Sequence, residues 1–236
     1  MRRAIPVSKA LPRELPFSDH GRIGIGFDVA TTDKGTSNPS SVSVVEKVGL
    51  DFWTRLIVRW KTADPEVARA VVGGVLDLLP RRPVALAVDA TNEKFFAADL
   101  KTKLQDQVEV LLVVSSEGTE YLGEKMSFKA YLGNLLLNTF EEGTLRLPND
   151  PFVSKDFRLV KRSRGSFETE TDENGNHGDT FDSTKLALHA LTSSSGPVQA
   201  EAARVGSSLG RVAGTVGRVL RNPFAARFEK GDRQLC

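Results

Sequence analysis

The stretch "RIGIGFD", residues 22–28, alternates apolar side chains with glycine and ends on an aspartate. Alternation with a period of two is typical of a β-strand, so this pattern predicts a strand that ends at Asp28. After a polar loop, "SVSVVEKV" and "FWTRLIVRW" predict two more strands joined at "GLD". Three consecutive strands with a short connection favour an antiparallel meander.

Beyond the meander, predicted helices alternate with buried strands. "DPEVARAVVGGVLDLLP" predicts a helix with Asp64 as N-cap, Pro65 at its first position and Pro80 after its end. "PVALAVD" is an apolar run that ends in Asp89 and favours a buried parallel strand. A helix over "EKFFAADLKTKLQ", a strand over "VEVLLVV" and a long helix over "EKMSFKAYLGNLLLNTFEEG" follow. This order predicts an α/β fold whose mixed sheet carries helices on both faces.

The last part of the predicted domain is a hairpin followed by a helix. "FRLVKRSRGSFETETDENGNHGD" predicts a hairpin that turns near "RSRG", and "HGDTFDSTKLALHAL" predicts a helix that turns apolar after two aspartates. The simplest interpretation of these aspartates is capping. Asp179 can be the N-cap, and Asp182 lies in the first turn, where the helix dipole favours negative charge.

Composition and length limit the possible classes of protein. The chain has 236 residues, of which 40% are hydrophobic and 26% charged, which suits one sizeable domain with tails. No apolar run approaches the roughly 20 residues of a membrane span, and no signal-peptide core precedes the domain. The single cysteine, Cys236, excludes disulfides within the chain and cysteine zinc sites, so we expect a cytoplasmic protein without membrane contact. We predict a flexible arm (1–20), one domain (21–192) and a basic, largely flexible tail (193–236).

Two aspartates end predicted strands, at the sheet edge where open α/β sheets collect ligands. Placing Asp28 and Asp89 together there is unfavourable unless a cation compensates them. A carboxylate set without cysteine suits hard cations such as Mg²⁺ or Mn²⁺. With Asp179 as a third ligand, the set would match a two-metal phosphodiester hydrolase. Turn formation is the ordinary alternative for a single strand-end aspartate.

Three segments carry a resemblance to a known family. "GIGFDVA", "ALAVDAT" and "HGDTFDSTKLALHAL" resemble the nuclease domain of phage and prophage large terminases, a ribonuclease H-like fold, over roughly residues 22–191. The resemblance implies a metal-dependent endonuclease that cleaves double-stranded, concatemeric viral DNA during genome packaging in the host cytoplasm. It implies two divalent cations, Mg²⁺ or Mn²⁺, bound by Asp28, Asp89 and Asp179. Asp182 is an accessory candidate, and His177 could orient the site or bind metal.

Basic residues near the predicted site could bind DNA phosphates. Lys161, Arg162 and Arg164 lie at the predicted hairpin just before the helix, where they could overhang the acidic site. Lys94, five residues after Asp89, and Lys34 in the first loop are weaker candidates. An ordinary solvated turn explains the hairpin charges equally well. Nothing resembles a recognition helix, so we expect backbone contacts with little base reading.

Partners and alternatives remain open at this point. No G-x-x-x-x-G-K-[ST] motif occurs, so the ATPase of the packaging motor would be another domain or subunit. "GRIGIG" does not predict a dinucleotide site, because its glycines lie inside a strand. The basic tail could contact a portal. Alternatives are another ribonuclease H-like nuclease, such as a Holliday-junction resolvase or a transposase-type domain, and a non-catalytic packaging or assembly module.

Overall fold

The computed structural model of this protein describes residues 5–6, 16–31, 38–163, 165–173 and 175–193. The strands of the described residues are β1 (Ile5–Pro6), β2 (Arg22–Asp28), β3 (Ser40–Val48), β4 (Asp51–Lys61), β5 (Ala85–Asp89), β6 (Val110–Val113), β7 (Gly118–Tyr121), β8 (Glu124–Ser127), β9 (Leu145–Arg146), β10 (Val160–Ser163) and β11 (Ser166–Thr169). The helices are α1 (Pro65–Asp77), α2 (Lys94–Leu104), α3 (Phe128–Glu141), α4 (Pro151–Arg158) and α5 (Asp179–Ser193).

The main sheet confirms the predicted mixed topology. Its strands lie in the order β1–β4–β3–β2–β5–β6, and β9 pairs with β4. β2, β3 and β4 form the antiparallel meander, whereas β5 is parallel to β2 and β6 is parallel to β5. β2 therefore joins the meander to the parallel half of the sheet. β7–β8 and β10–β11 are separate two-stranded hairpins.

The glycines of "RIGIGFD" explain how α5 approaches the sheet. The apolar side chains of β2 pack into the core formed with α1 and α2 on one face. Gly24 and Gly26 face α5 on the other. A Cβ atom on Gly24 would lie 2.6 Å from the carbonyl oxygen of Ala187, and one on Gly26 would be closer still to that of Ser183. Only glycine lets the backbones of β2 and α5 come this near.

Small residues on β5 extend the same contact. Ala85 and Ala87 pack in a cluster with Leu186 and Ala190 of α5, while Leu86 and other large β5 side chains join the core on the opposite face. Side chains alternate between the two faces of a strand. Asp28, two residues after Gly26, and Asp89, two after Ala87, therefore lie on the α5 face.

Two stretches differ from the sequence prediction. The helix predicted from Glu124 begins at Phe128, where Ser127 accepts a hydrogen bond from the N–H of Ala130 (3.2 Å). The first four residues of that prediction are wrong because they form β8, which pairs with β7 across a tight turn. Leu122 and Gly123 in that turn both have positive φ, which favours a hairpin over helix continuation.

Helix α4 was not predicted, although its signals are present. Asp150 caps it by accepting the N–H groups of Phe152 and Val153, and Pro151 occupies the first position. The hairpin predicted near "RSRG" is confirmed by the pairing of Ser163 with Ser166. The helix predicted from Asp64 is confirmed, with the Asp64 carboxylate accepting the Glu66 N–H.

The predicted termini are described only in part. Of the arm (1–20), residues 5–6 pair with β4 and residues 16–20 precede β2. The tail (193–236) lies outside the described residues except for Ser193. No helix within the described part of the chain is long and apolar enough to span a membrane.

Candidate metal centre

A polar row crosses the sheet on the face that α5 covers. Asp28 pairs with Ser41 of β3, and Ser41 pairs with Arg59 of β4. Asp89 follows the last pair that joins β5 to β2, so it lies beside Asp28. The row lies at the carboxyl ends of β2 and β5, where open α/β sheets bind ligands. The strand-end aspartates therefore share one edge and one face.

Hydroxyl groups fix the position of α5 over this row. The Oγ atom of Ser183 lies 2.9 Å from Oγ of Ser41 and 2.7 Å from Oγ of Ser43, and Thr184 adds a contact at 3.1 Å to Ser43. All four side chains are buried. Buried hydroxyls need such partners, so the contacts specify how α5 lies along the sheet. They place its first turn over the carboxylates.

Asp28 is surrounded by negative charge. Burial raises the pKa of its carboxyl well above the usual value, and the charges of Asp182, Asp89 and Asp179 raise it further, in that order. Lys185 acts in the opposite direction. Asp182 therefore affects Asp28 more strongly than Asp179 does. The Asp182 side chain is 33% exposed, so this end of the site is open to solvent.

Asp179 has a basic partner of its own. Its Oδ2 atom accepts a hydrogen bond from Nη2 of Arg59 at 2.7 Å, and both side chains are buried. The guanidinium also lies over the ring of Phe152, 4.3 Å from its centroid, and donates to Asn176 at 3.3 Å. Burial raises the pKa of Asp179 to about 6, because desolvation outweighs the hydrogen bond and charge of Arg59. Arg59 joins β4 to the start of α5.

The exposed N–H groups at the start of α5 are satisfied from another helix. Asp156 of α4 is buried and accepts the N–H of Gly178 at 3.0 Å and the N–H of Thr180 at 2.8 Å. The hydroxyl of Thr180 donates to the same carboxylate at 2.5 Å. Capping is thus supplied by Asp156 and does not depend on Asp179. Sequence reasoning missed Asp156, since no local pattern links it to a helix more than twenty residues away.

Lys185 is a second residue that the sequence analysis did not identify. Its buried ammonium lies 2.6 Å from Oδ1 of Asp182. Burial alone would lower the pKa of Lys185, but Asp182, Asp28 and Asp89 outweigh it and raise the pKa above the ordinary lysine value. Spacing could have found this residue, because positions three apart lie on one helix face.

The remaining candidates lie outside this cluster. The His177 ring is 3.2 Å from the hydroxyl of Thr171. Lys161 on β10 forms an ion pair with Glu170 at 2.5 Å, and its strand neighbour Arg162 is exposed. Lys94 is the exposed first residue of α2, close to Asp89 along the chain. Arg164 and Lys34 lie outside the described residues.

The chemistry of the cluster fits a hard divalent cation. Its donors are carboxylate oxygens, which Mg²⁺ and Mn²⁺ prefer. Among the described residues, no three histidine, cysteine, aspartate or glutamate side chains converge on one point as they stand. Two of the aspartates instead contact basic side chains: Asp179 binds Arg59, and Asp182 binds Lys185.

Comparison with known proteins supports the fold. No family model and no curated protein matches the chain. The chain is similar to the large terminase nuclease from thermophilic phage G20c, with a TM-score of 0.54 and 17% identity over 73% of this chain and 84% of that one. A second structure of that nuclease, with bound magnesium, gives 0.53 and 15% over 73% and 83%. The large terminase from another thermophilic bacteriophage gives 0.50 and 10% over 75% of this chain and 42% of that one.

Proposed function

Because the chain has the ribonuclease H-like fold of the large terminase nucleases, we propose that it is a metal-dependent endonuclease that cleaves double-stranded DNA. The observation that carries the proposal is the position of Asp28 and Asp89 at neighbouring strand ends, beneath the start of α5. Its biological substrate would be concatemeric viral DNA, cut during genome packaging in the host cytoplasm. An ATPase domain or subunit would drive packaging, and the basic tail could contact a portal.

We assign Asp28, Asp89 and Asp182 as the metal ligands. The sequence analysis ranked Asp179 above Asp182. The proposal reverses that order because Asp179 is buried against Arg59, whereas Asp182 acts more strongly on Asp28 and is open to solvent. Structures of the G20c nuclease hold magnesium, cobalt or zinc. For this chain we propose Mg²⁺ or Mn²⁺, with two ions as the expectation from the resemblance.

The reaction is hydrolysis of a phosphodiester. The oxygen of water bonds to phosphorus as the bond from phosphorus to the leaving sugar oxygen breaks. One proton of the water reaches that leaving oxygen, and the other passes to solvent. A bound divalent cation supplies Lewis-acid stabilisation of phosphate charge and lowers the pKa of a bound water. The three carboxylates hold and orient these groups at the edge of the sheet.

DNA would approach across the same edge. Lys94 begins α2 close to Asp89 along the chain and is exposed, so it can contact a phosphate. Arg162 is exposed on the β10–β11 hairpin and is the better hairpin candidate, since the neighbouring Lys161 already pairs with Glu170. Arg164 stays a candidate from the sequence alone. Contacts of this kind position DNA without reading its bases.

Cleavage of linear duplex by the full chain tests this proposal. Activity should require Mg²⁺ or Mn²⁺ and should disappear in Asp28→Asn and Asp89→Asn, because an amide is a poor ligand for a hard cation. The control is Asp106→Asn, the same change at an exposed aspartate before β6, near the opposite edge of the sheet. Full cleavage by either site variant would overturn the metal assignment.

The choice of substrate separates the alternatives. Preference for a four-way junction over linear duplex would indicate a resolvase. Absence of both Mn²⁺ binding and metal-dependent cleavage would indicate a non-catalytic packaging or assembly module. Arg162→Gln and Lys94→Gln should each weaken DNA binding and reduce its dependence on salt, because each removes one phosphate contact.

A further inference from the structure

Lys185 brings a fixed positive charge into the acidic cluster. It lies on α5, one turn after Asp182, and its ammonium is 2.6 Å from the Asp182 carboxylate. The side chain is buried, and the Phe181 ring flanks the ammonium with its centroid 5.9 Å away. Asp28 and Asp89 also interact with this charge. The site therefore contains a cation of its own.

Charge balance limits what else the cluster can hold. When ionised, Asp28, Asp89 and Asp182 carry three negative charges, and Lys185 reduces the formal total to −2. Asp179 does not change this total, since Arg59 neutralises it at 2.7 Å. One divalent cation would balance the cluster, whereas two would leave it at +2. Uncompensated charge is costly at a partly buried site.

We propose that Lys185 takes the place of the second ion, so that this chain binds a single divalent cation and uses its own ammonium as the second positive charge. This inference rests on the proposed function, because it concerns the same carboxylates. In a two-metal site the second ion stabilises negative charge on the leaving oxygen. A lysine ammonium has three N–H donors, so Lys185 can hydrogen-bond a phosphate oxygen as well as Asp182. Lys185 is thereby a catalytic residue of the site.

The number of bound ions tests this directly. Titration of the metal-free full chain with Mn²⁺, followed by calorimetry, should give one ion per chain for the natural sequence. Lys185→Met, which keeps the length of the side chain and removes its charge, should bind two. Lys185→Arg retains the charge and should bind one, as a matched control. Thermal melting in EDTA establishes that each variant is folded.

Each result has a defined meaning. Two Mn²⁺ ions per natural chain would overturn the inference and leave the proposed function standing. One ion in both the natural chain and Lys185→Met would also overturn it. If Lys185→Met does not fold, the stoichiometry of the natural chain decides alone. Asp28→Asn should lose Mn²⁺ binding by at least about 100-fold, because a ligand is removed. Unchanged binding by that variant would instead contradict the proposed function.

Discussion

Asp28 and Asp89 lie side by side at the ends of two parallel strands, each one residue beyond the pair that joins Phe27 to Val88. Neighbouring strands are about 4.8 Å apart, so two carboxylates are held at the separation of one ladder step. Burial and the nearby carboxylates, Asp182 foremost, raise the pKa of Asp28. A fold that maintains this repulsion has a use for a cation at that edge.

Exchanging aspartate for asparagine at the two α5 positions should separate structure from metal binding. Asp182→Asn should lose Mn²⁺ affinity and keep its fold. Asp179→Asn should keep Mn²⁺ binding and lose about 3 kcal/mol of unfolding free energy, because it leaves the buried charge of Arg59 without its carboxylate. Urea denaturation in EDTA and Mn²⁺ titration measure the two effects.

A double variant provides the control for that loss. Arg59→Met combined with Asp179→Asn should be less destabilised than the sum of the two single changes, since the two residues interact directly. Loss of Mn²⁺ binding in Asp179→Asn, with normal binding in Asp182→Asn, would restore the order that the sequence suggested.

The close approach of α5 to β2 predicts a large cost for one methyl group. Gly26→Ala places a Cβ against the carbonyl oxygen of Ser183, a backbone atom that cannot move aside cheaply. We expect a loss of about 3 kcal/mol in unfolding free energy. Gly74→Ala in α1 is the matched control: no atom lies within 4 Å of its added Cβ, and alanine should stabilise the helix by roughly 0.5–1 kcal/mol. Equal stability of both variants would show that α5 lies farther from the sheet.

His189 gives the protein a pH-dependent stability that does not involve the metal centre. Burial among Phe128, Tyr131 and Ser193 lowers the pKa of His189 to about 4. Below the unfolded pKa of about 6.5, the unfolded chain takes up a proton that the folded chain refuses, so stability falls as pH falls from about 6.5 to about 4. The contribution lost is roughly 3 kcal/mol.

The His189→Phe variant isolates this contribution, because phenylalanine does not titrate. Urea denaturation of both proteins at several pH values in EDTA gives the difference in unfolding free energy. That difference should favour His189→Phe increasingly as pH drops through the window and level off below about pH 4. A difference that stays constant across the window would mean that the imidazole is protonated in the folded state.

Local patterns were sufficient to predict most of the sheet. Period-two alternation located β2, and the apolar run before Asp89 located β5, so their shared edge could be expected from topology. The cap and proline that located α1 also precede α4, where Asp150 and Pro151 carry the same signal. The β7–β8 hairpin was missed because its turn contains Leu122, a residue that rarely takes positive φ.

The order of the α5 aspartates could not be predicted because it depends on contacts distant in sequence. Arg59 binds Asp179 from 120 residues away. Asp156 supplies the cap that the local pattern assigned to Asp179. Both roles depend on how α4 and α5 lie against the sheet, which period and propensity do not specify. Lys185 was within reach, since its spacing from Asp182 is local.

The most direct test of the account is the location of a bound ion. A crystal of the full chain soaked in Mn²⁺ allows the metal to be identified by its anomalous scattering. We predict one Mn²⁺ in contact with the carboxylates of Asp28, Asp89 and Asp182, with Asp179 still bound to Arg59. Mn²⁺ bound elsewhere, or no density among these three aspartates in a crystal where they are ordered, would contradict the central claim.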